Sequence, residues 1–209
     1  MVRAIFKGVI LVIPILVVSV TNAATPKPIW AQSVEEIASR VNKVRAGDDL
    51  TPQQWPGGKK VAVSLSFDVD TEPVWMGFQG QSSPSYMSRG EYGARAGMPR
   101  IMELLERHKI PATFFIPALS MELHPQVVPM IQKNPRNEIG FHSYAHENPM
   151  TLTPEQERAT YAKAMEIFLR HTGKRPTGFR SAAWDLTEST ISIVQEMGFV
   201  YESSMMADD

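Results

Sequence analysis

The sequence predicts an α/β fold in which helices pack against a parallel sheet, and three observations support this prediction. Short apolar runs that end in polar residues recur along the chain from residue 61 onwards. Patterns with helical spacing separate most of these runs, and Gly and Pro mark the turns between them. Regular alternation of strand and helix is typical of a parallel sheet or a barrel. The chain has 209 residues, which is enough for one such domain with a substantial core.

The first strand is predicted over about residues 61–69, within the run KKVAVSLSFDVD. Side chains two apart in a strand share a face, and the odd-numbered positions from 61 to 69 are all apolar. The opposite face carries small residues and then two carboxylates, Asp68 and Asp70. Two like charges this close repel each other unless a cation offsets them. The strand end therefore predicts a metal or a cationic side chain nearby.

Further strands are predicted at about residues 112–116, 138–142, 178–180 and 199–203. Helices are predicted to begin at Pro99 and Pro125 and to run over about 153–173 and 188–197, with Gly173 and Gly198 as terminators. In the helix that begins at Pro99, the residues expected to face inward are Ile101, Leu104 and Leu105. Residues 71–97 show little periodicity and are predicted to form a long loop, of the kind that is usually functional or mobile.

The N-terminus has the layout of a secretory signal peptide over residues 1–24. Arg3 and Lys7 precede an apolar stretch, and small residues follow it. An uncleaved membrane anchor is the alternative, although the apolar stretch is short for a span. Either way the rest of the chain is expected to be exported, to the periplasm or beyond, with no stable membrane span after cleavage.

Residues 25–58 are predicted to form a helix and a linker ahead of the main domain at 59–209. Ser33 and Glu36 fit a capping box, and helical spacing follows over about 34–45. Residues 47–60 are rich in Gly, Pro and Gln, as is typical of a connection.

Composition excludes several functions. The net charge is −1 with acids and bases interspersed, so the chain has no basic patch of the kind that binds nucleic acid. There is no cysteine, which excludes disulfides and thiolate metal sites. Any metal must therefore bind to His and carboxylate side chains.

The segment HSYAH places His142 and His146 four residues apart, directly after the strand at 138–142. This spacing would bring both rings to one side of a helical turn, as a metal requires, although two partly exposed histidines are the alternative. In a parallel α/β fold the carboxyl ends of the strands meet at one edge. Asp70, His142 and His146 would then form a set of two histidines and one carboxylate, suited to a divalent ion such as Zn²⁺, with Co²⁺ or Mn²⁺ as alternatives. Asp68 is left free as a base.

A third strand end, in GFRSAAW, supplies Arg180 as the candidate partner of Asp68. Trp184 offers a flat apolar surface for a sugar ring. Taken alone, each residue has an ordinary interpretation, a surface cation for Arg180 and a core aromatic for Trp184.

The motifs SFDVDT, HSYAH and RSAAW, in this order, resemble the successive motifs of the polysaccharide deacetylases, also called the NodB homology domain. The stretch EYGARAGMPRIMELLERHKIPATFF and the ending YESSMMADD resemble its bacterial peptidoglycan deacetylase and allantoinase-like branch. The resemblance covers about residues 59–209 and implies a distorted (β/α) barrel with fewer than eight strands.

Position by position, the resemblance implies a role for each motif residue. Asp68 would be the catalytic base and Arg180 would orient it. The metal would be held by Asp70, His142 and His146. The candidate substrate-binding residues are Trp184 and Tyr144.

Two departures from the family pattern stand out. Ala182 occupies a position where the family usually has Pro, which would make the loop that carries Trp184 less rigid. The family's last motif also supplies a His as general acid, and His108, His124 and His171 lie in the wrong order to replace it. The chain is therefore expected to be a C-terminally truncated domain, and a poor catalyst as it stands.

The expected function is metal-dependent removal of N-acetyl groups from an exported glycan such as peptidoglycan or chitin, with hydrolysis of a non-peptide carbon–nitrogen bond. Two alternatives stay open. One is an allantoinase-like hydrolase of a small cyclic amide, which needs the same metal and base. The other is a fragment that only binds metal or sugar.

Overall fold

The computed structural model describes residues 27–42 and 51–206. The chain divides into two units, residues 1–45 and 46–209. The predicted signal peptide lies outside the described residues. Within those residues, no helix is both long enough and apolar enough to cross a lipid bilayer.

The described part of the first unit contains a short 3₁₀ turn at Ile29–Ala31 and helix α1 at Val34–Val41. The predicted capping box is present, because Ser33 Oγ accepts a hydrogen bond from the Glu36 backbone N–H at 3.1 Å and the Glu36 carboxylate accepts one from the Ser33 N–H at 2.8 Å. The prediction of a helix here is confirmed.

The second unit is built on a five-stranded parallel sheet. Its strands are β1 Ser66–Asp68, β2 Thr113–Ile116, β3 Glu138–Phe141, β4 Gly178–Phe179 and β5 Tyr201–Glu202, in the spatial order β1-β2-β3-β4-β5. Every pair of neighbours is parallel. The α/β prediction is confirmed, and each strand lies beside the next one in sequence, as in a (β/α) barrel. Closure of the sheet into a barrel stays a prediction.

Helices connect the strands. They are α2 Pro84–Tyr92, α3 Met98–His108, α4 Ala118–Leu123, α5 Val127–Gln132, α6 Pro154–Thr172 and α7 Thr190–Glu196. Helix α6 has both ends that the sequence predicts. Thr153 and Gln156 form its capping box, and Gly173 ends it with φ 75°, a backbone conformation that glycine adopts without steric cost.

The first strand is much shorter than predicted. Only Ser66–Asp68 pair with β2, whereas Val61 and Val63 are 67% and 79% exposed. In the observed register, residues 61–64 would have to pair with residues 108–111. Lys109 there has the left-handed conformation that ends α3, and Pro111 has no N–H to donate. The neighbouring strand therefore begins at Thr113, beyond the positions that would pair with residues 61–64.

Residues 71–97 form helices rather than the predicted loop. A π-helical turn at Val74–Phe78 is followed by α2 and by a second π-helical segment, Gly93–Gly97, which runs into α3. Ser83 caps α2 and Pro84 occupies its first turn, so local start signals outweigh the Gly-rich composition. In α3, Leu105 is buried as predicted but Leu104 is 53% exposed.

The core lies between the sheet and its helices and is rich in aromatic rings. The ring of Phe141 packs against those of Tyr161, Phe168, Phe179 and Phe199, with centroids 5.2–6.2 Å apart. A fully buried side chain of this size contributes about 1.5–3 kcal/mol. Because β3 and β4 end in these anchored rings, the residues that follow them start from fixed positions.

Candidate metal centre

The predicted site residues come together at the carboxyl ends of three strands. Asp68 is the last residue of β1, and Asp70 follows two positions later. His142 comes directly after β3 and Arg180 directly after β4. Because parallel strands all end at the same edge of the sheet, these side chains converge although they are far apart in sequence.

Asp70, His142 and His146 form a compact set of possible metal ligands. One ligand atom from each lies within 4.8 Å of the others. His142 Nε2 is 3.5 Å from Asp70 Oδ1, and His146 Nε2 is 3.6 Å from Asp70 Oδ2. Both distances are too long for good hydrogen bonds. Two ligand atoms each about 2.1 Å from one tetrahedral Zn²⁺ are about 3.4 Å apart, so the spacing suits a shared ion.

The hydrogen bonds around the ligand set also fit a metal. Asp70 Oδ1 is buried and has no hydrogen-bond partner among the described residues. His142 Nδ1 lies 2.7 Å from the Arg180 carbonyl oxygen, which places the proton on Nδ1 and leaves Nε2 free to face Asp70. A ligand histidine held through its other nitrogen in this way is typical of metal sites.

The two histidines are held by a tight turn, not by the helical turn that the sequence predicts. Ser143 and His146 both have φ 58°, in the left-handed region. The N-terminal end of α4 anchors this turn, since the N–H groups of Ala118 and Leu119 donate to the carbonyl oxygens of Ser143 and Tyr144 at 3.1 and 2.8 Å. The two imidazole rings thereby come within 5.0 Å of each other, centre to centre.

The segment after β1 closes over this turn. The edge of the Phe78 ring contacts His146, with the ring centres 5.9 Å apart. A side chain on Gly77 would place its Cβ 1.9 Å from the Ala145 carbonyl oxygen, so only glycine allows this approach. Neither contact could be inferred from the sequence, because the segment shows no periodicity that would place it against the histidines.

Burial shifts the pKa of the Asp70 carboxyl group and the pKa values of the two imidazoles in opposite directions. Burial, reinforced by the neighbouring charge of Asp68, raises the pKa of Asp70 to about 7. Burial and the proximity of His146 lower the pKa of His142 to about 4, and burial also lowers the pKa of His146. Near neutral pH the imidazoles are therefore uncharged and can act as ligands.

Asp68 has a different partner. Its Oδ1 accepts a hydrogen bond from Arg180 Nη1 at 2.6 Å, and the guanidinium lies 4.1 Å from the centre of the Phe115 ring. Arg180 Nη2 also donates to Ser66 Oγ at 3.0 Å and to Ser203 Oγ at 2.8 Å. Sequence reasoning missed both serines, although alternation along β1 places Ser66 on the same face as Asp68.

Trp184 and Tyr144 are placed differently from the ligand set. Trp184 is 59% exposed, at the end of the 3₁₀ turn Ala182–Trp184, and has φ 56°. Tyr144 packs partly against the core, and the Lys163 ammonium lies 3.8 Å from its ring centre. The structure thus leaves Trp184 accessible to a ligand, and the assignment of both residues to substrate binding stays a prediction.

The other three histidines lie away from the ligand set. His124 Nε2 is 2.7 Å from a carboxylate oxygen of Glu72, and His171 Nε2 is 2.7 Å from one of Glu122. His108 is exposed near the end of α3. None of them occupies the position of a general acid beside Asp68.

Comparison with known proteins identifies the family. The family model for polysaccharide deacetylase matches residues 58–201. A peptidoglycan deacetylase from Helicobacter pylori is 34% identical over 152 residues, which cover 72% of this chain and 52% of that protein. The chain thus spans about half the length of that relative.

Solved structures agree with this comparison. A candidate polysaccharide deacetylase from Mycobacterium smegmatis superposes with a TM-score of 0.67 at 31% identity, covering 74% of this chain and 55% of that one. The Puue allantoinase superposes with a TM-score of 0.66 at 28% identity, covering 77% of this chain and 59% of that one. Since the family model covers well over half of the sequence, and the fold agrees, this chain belongs to the polysaccharide deacetylase family.

Proposed function

We propose that this chain is a metal-dependent deacetylase that removes N-acetyl groups from an exported glycan. One observation carries the proposal: the two carboxylates after β1 have different partners. Asp70 faces two neutral imidazoles, whereas Asp68 is paired with Arg180. A hydrolase that activates water needs both arrangements side by side, one to hold a metal and one to take up a proton.

Asp70, His142 and His146 would hold the divalent ion. Two imidazoles and one carboxylate suit Zn²⁺ best, and Co²⁺ or Mn²⁺ are possible alternatives. When bound, such an ion lowers the pKa of a water molecule and polarises the carbonyl group of the substrate. With three protein ligands, a catalytic ion would keep an open position for water or substrate.

Asp68 would act as the general base. Its carboxylate removes a proton from the attacking water while the oxygen adds to the acetamide carbonyl carbon. Arg180 holds the carboxylate in place through the 2.6 Å contact, and Ser66 and Ser203 fix the guanidinium in turn. The proton on Asp68 is then available to the departing nitrogen, so that water and amide become acetate and amine.

The glycan part of the proposal draws on the relatives, whose names refer to peptidoglycan and polysaccharide. The exposed ring of Trp184 supports it, because a flat apolar surface stacks against a sugar ring. Export is inferred from the signal-peptide pattern at residues 1–24.

A second candidate is hydrolysis of a small cyclic amide. The superposition with an allantoinase favours it, and opening a ring amide would use the same base and ion. A third possibility, a fragment that binds metal or sugar without turnover, is an outcome that the experiment distinguishes.

The test is to supply the purified chain with Zn²⁺, Co²⁺ or Mn²⁺ in turn. Acetate release is measured from N-acetylglucosamine oligomers and from peptidoglycan, and ring opening is measured on allantoin. The proposal expects metal-dependent acetate release that stops on chelation. Turnover of allantoin alone would replace it with the second candidate. Sugar binding without release of acetate by any metal form would establish the third.

A further inference from the structure

A cavity of about 280 Å³ opens beside the two carboxylates of β1. Asp68 and Asp70 line one part of it, and Trp75 and Arg89 line another. It is formed by the helical segment 71–97, which also covers the histidine turn. The mechanism above assigns it no role.

Glycines keep one wall of this cavity open. Gly93 and Gly97 line it, and both lie in the π-helical segment before α3. A methyl group on Gly93 would meet no atom within 4 Å, and the nearest atom to one on Gly97 would be 3.9 Å away. Glycine within a helix costs about 0.5–1 kcal/mol relative to alanine. Since nothing in the described fold packs against these positions, the missing side chains leave space for a ligand.

Arg89 provides a fixed positive charge at the cavity. Its guanidinium lies 4.7 Å from the centre of the Tyr86 ring and 5.7 Å from that of Trp75. Stacking on aromatic faces orients the group and leaves the N–H groups at its edge free to donate. Within the described residues no carboxylate lies within ion-pair distance of it, and Asp68 is already paired with Arg180.

We infer that this cavity is a binding subsite for a carboxylate on the substrate, and that Arg89 binds that carboxylate. The inference rests on the proposed function and narrows it to an N-acetylated sugar with an acidic substituent. A planar guanidinium with free N–H donors matches a carboxylate in shape and charge. The carboxylate could be an ether substituent on the N-acetyl sugar itself or belong to a neighbouring uronic acid.

The experiment measures affinity, so that it does not depend on turnover. N-Acetylglucosamine, N-acetylmuramic acid and a disaccharide of N-acetylglucosamine with glucuronic acid are titrated calorimetrically into the Zn²⁺-supplied chain. At least one acidic ligand is expected to bind about 10–100-fold more tightly than N-acetylglucosamine, as a charge-assisted hydrogen bond would provide. Which acidic ligand shows this preference identifies the source of the carboxylate.

Three variants test the assignment to Arg89. Arg89→Gln should remove the preference and leave the affinity for N-acetylglucosamine unchanged, and Arg89→Lys should retain only part of it. Arg107→Gln is the matched control, since Arg107 pairs with Glu103 on the exposed face of α3. Thermal melting of each variant confirms that it is folded.

A fourth variant, Gly93→Leu, adds a side chain to the cavity wall at a position where its Cβ would meet no atom within 4 Å, and it should weaken binding of all three ligands. Equal affinity of the unaltered chain for the neutral and acidic sugars would overturn the inference and leave the proposed function standing. A preference that survives in Arg89→Gln would also overturn it. If none of the sugars binds and none is deacetylated, the proposed function fails together with the inference.

Discussion

The site joins two strand ends that are held very differently. β3 is paired on both sides, with β2 and β4, and the residues at its end are buried: Phe141 and His142 are each 1% exposed. β1 is paired only with β2 among the described residues, and the Asp70 side chain is 26% exposed. The β3 end therefore holds His142 in a fixed position, whereas the β1 end presents the proposed base Asp68 and the more accessible ligand Asp70. Each prediction below changes one of these ends.

The largest effect should come from removing a metal ligand. His142→Ala, His146→Ala and Asp70→Ala should each abolish tight binding of a divalent ion, because two ligands remain. The loss should exceed the 10–100-fold that is typical of removing only the hydrogen-bond partner of a ligand. Metal content after dialysis measures it, with the exposed His108→Ala as control. Full metal content in any one of the three variants would remove that residue from the site.

The second largest effect, a loss of turnover, should come from changing Asp68 at the β1 end. Asp68→Asn should retain the metal and lose about 10²–10⁴-fold in turnover, because an amide cannot take up the proton of the attacking water. Acetate release and metal content are measured on the same preparation. Near-normal turnover would place the base elsewhere. Loss of the metal would mean that Asp68 and Asp70 have exchanged roles.

The third prediction compares the stability contributed by the β3 end with that contributed by the exposed residues that precede β1. Phe141→Ala should lower the free energy of unfolding by about 3–5 kcal/mol, because it removes a buried ring packed among four others. Val63→Ala removes an apolar side chain from the residues that precede β1. It should change the free energy of unfolding by about 0.5 kcal/mol or less, since Val63 is 79% exposed. Urea unfolding of both variants tests this. Similar losses would show that residues 61–65 are buried in solution.

The contrast between the strands also explains what the sequence could predict. Strand β3 and helix α6 were predicted to within a residue or two, because apolar periodicity and capping residues are local signals. The length of β1 was not, because it depends on where the neighbouring strand begins, and the left-handed Lys109 and Pro111 determine that. Whether a residue pairs depends on both strands, so the apolar alternation of one segment cannot predict where its strand begins.

The same distinction applies to the site. The sequence could predict that the motif residues lie close together, because the carboxyl ends of parallel strands share one edge of the sheet. The left-handed turn at His142–His146 and the contact of Phe78 with His146 could not be predicted. The turn is held by the N–H groups of Ala118 and Leu119, which are distant in sequence. The Phe78 contact depends on segment 71–97 being folded against the histidines, and the Gly-rich composition of that segment predicted a loop.

The last prediction concerns pH, and it tells which end of the site releases the metal on acidification. In the metal-free chain the pKa of Asp70 is raised to about 7, whereas that of His142 is lowered to about 4 and that of His146 also lies below its ordinary value. As pH falls below 7, a proton occupies Asp70 and must leave before an ion can bind, while His142 stays neutral until about pH 4 and His146 protonates only below its ordinary range.

Metal affinity should therefore be constant above about pH 7 and begin to fall about tenfold for each pH unit as the pH drops below 7. Competition with a chromogenic chelator at several pH values measures the affinity for Zn²⁺. If instead Asp70 had its ordinary pKa of about 3.9 and both histidines had theirs of about 6.5, two protons would compete at once, and the loss below that pH would approach a hundredfold per unit. That steeper dependence would show that protonation of the two histidines at the β3 end, and not of Asp70 at the β1 end, releases the metal first.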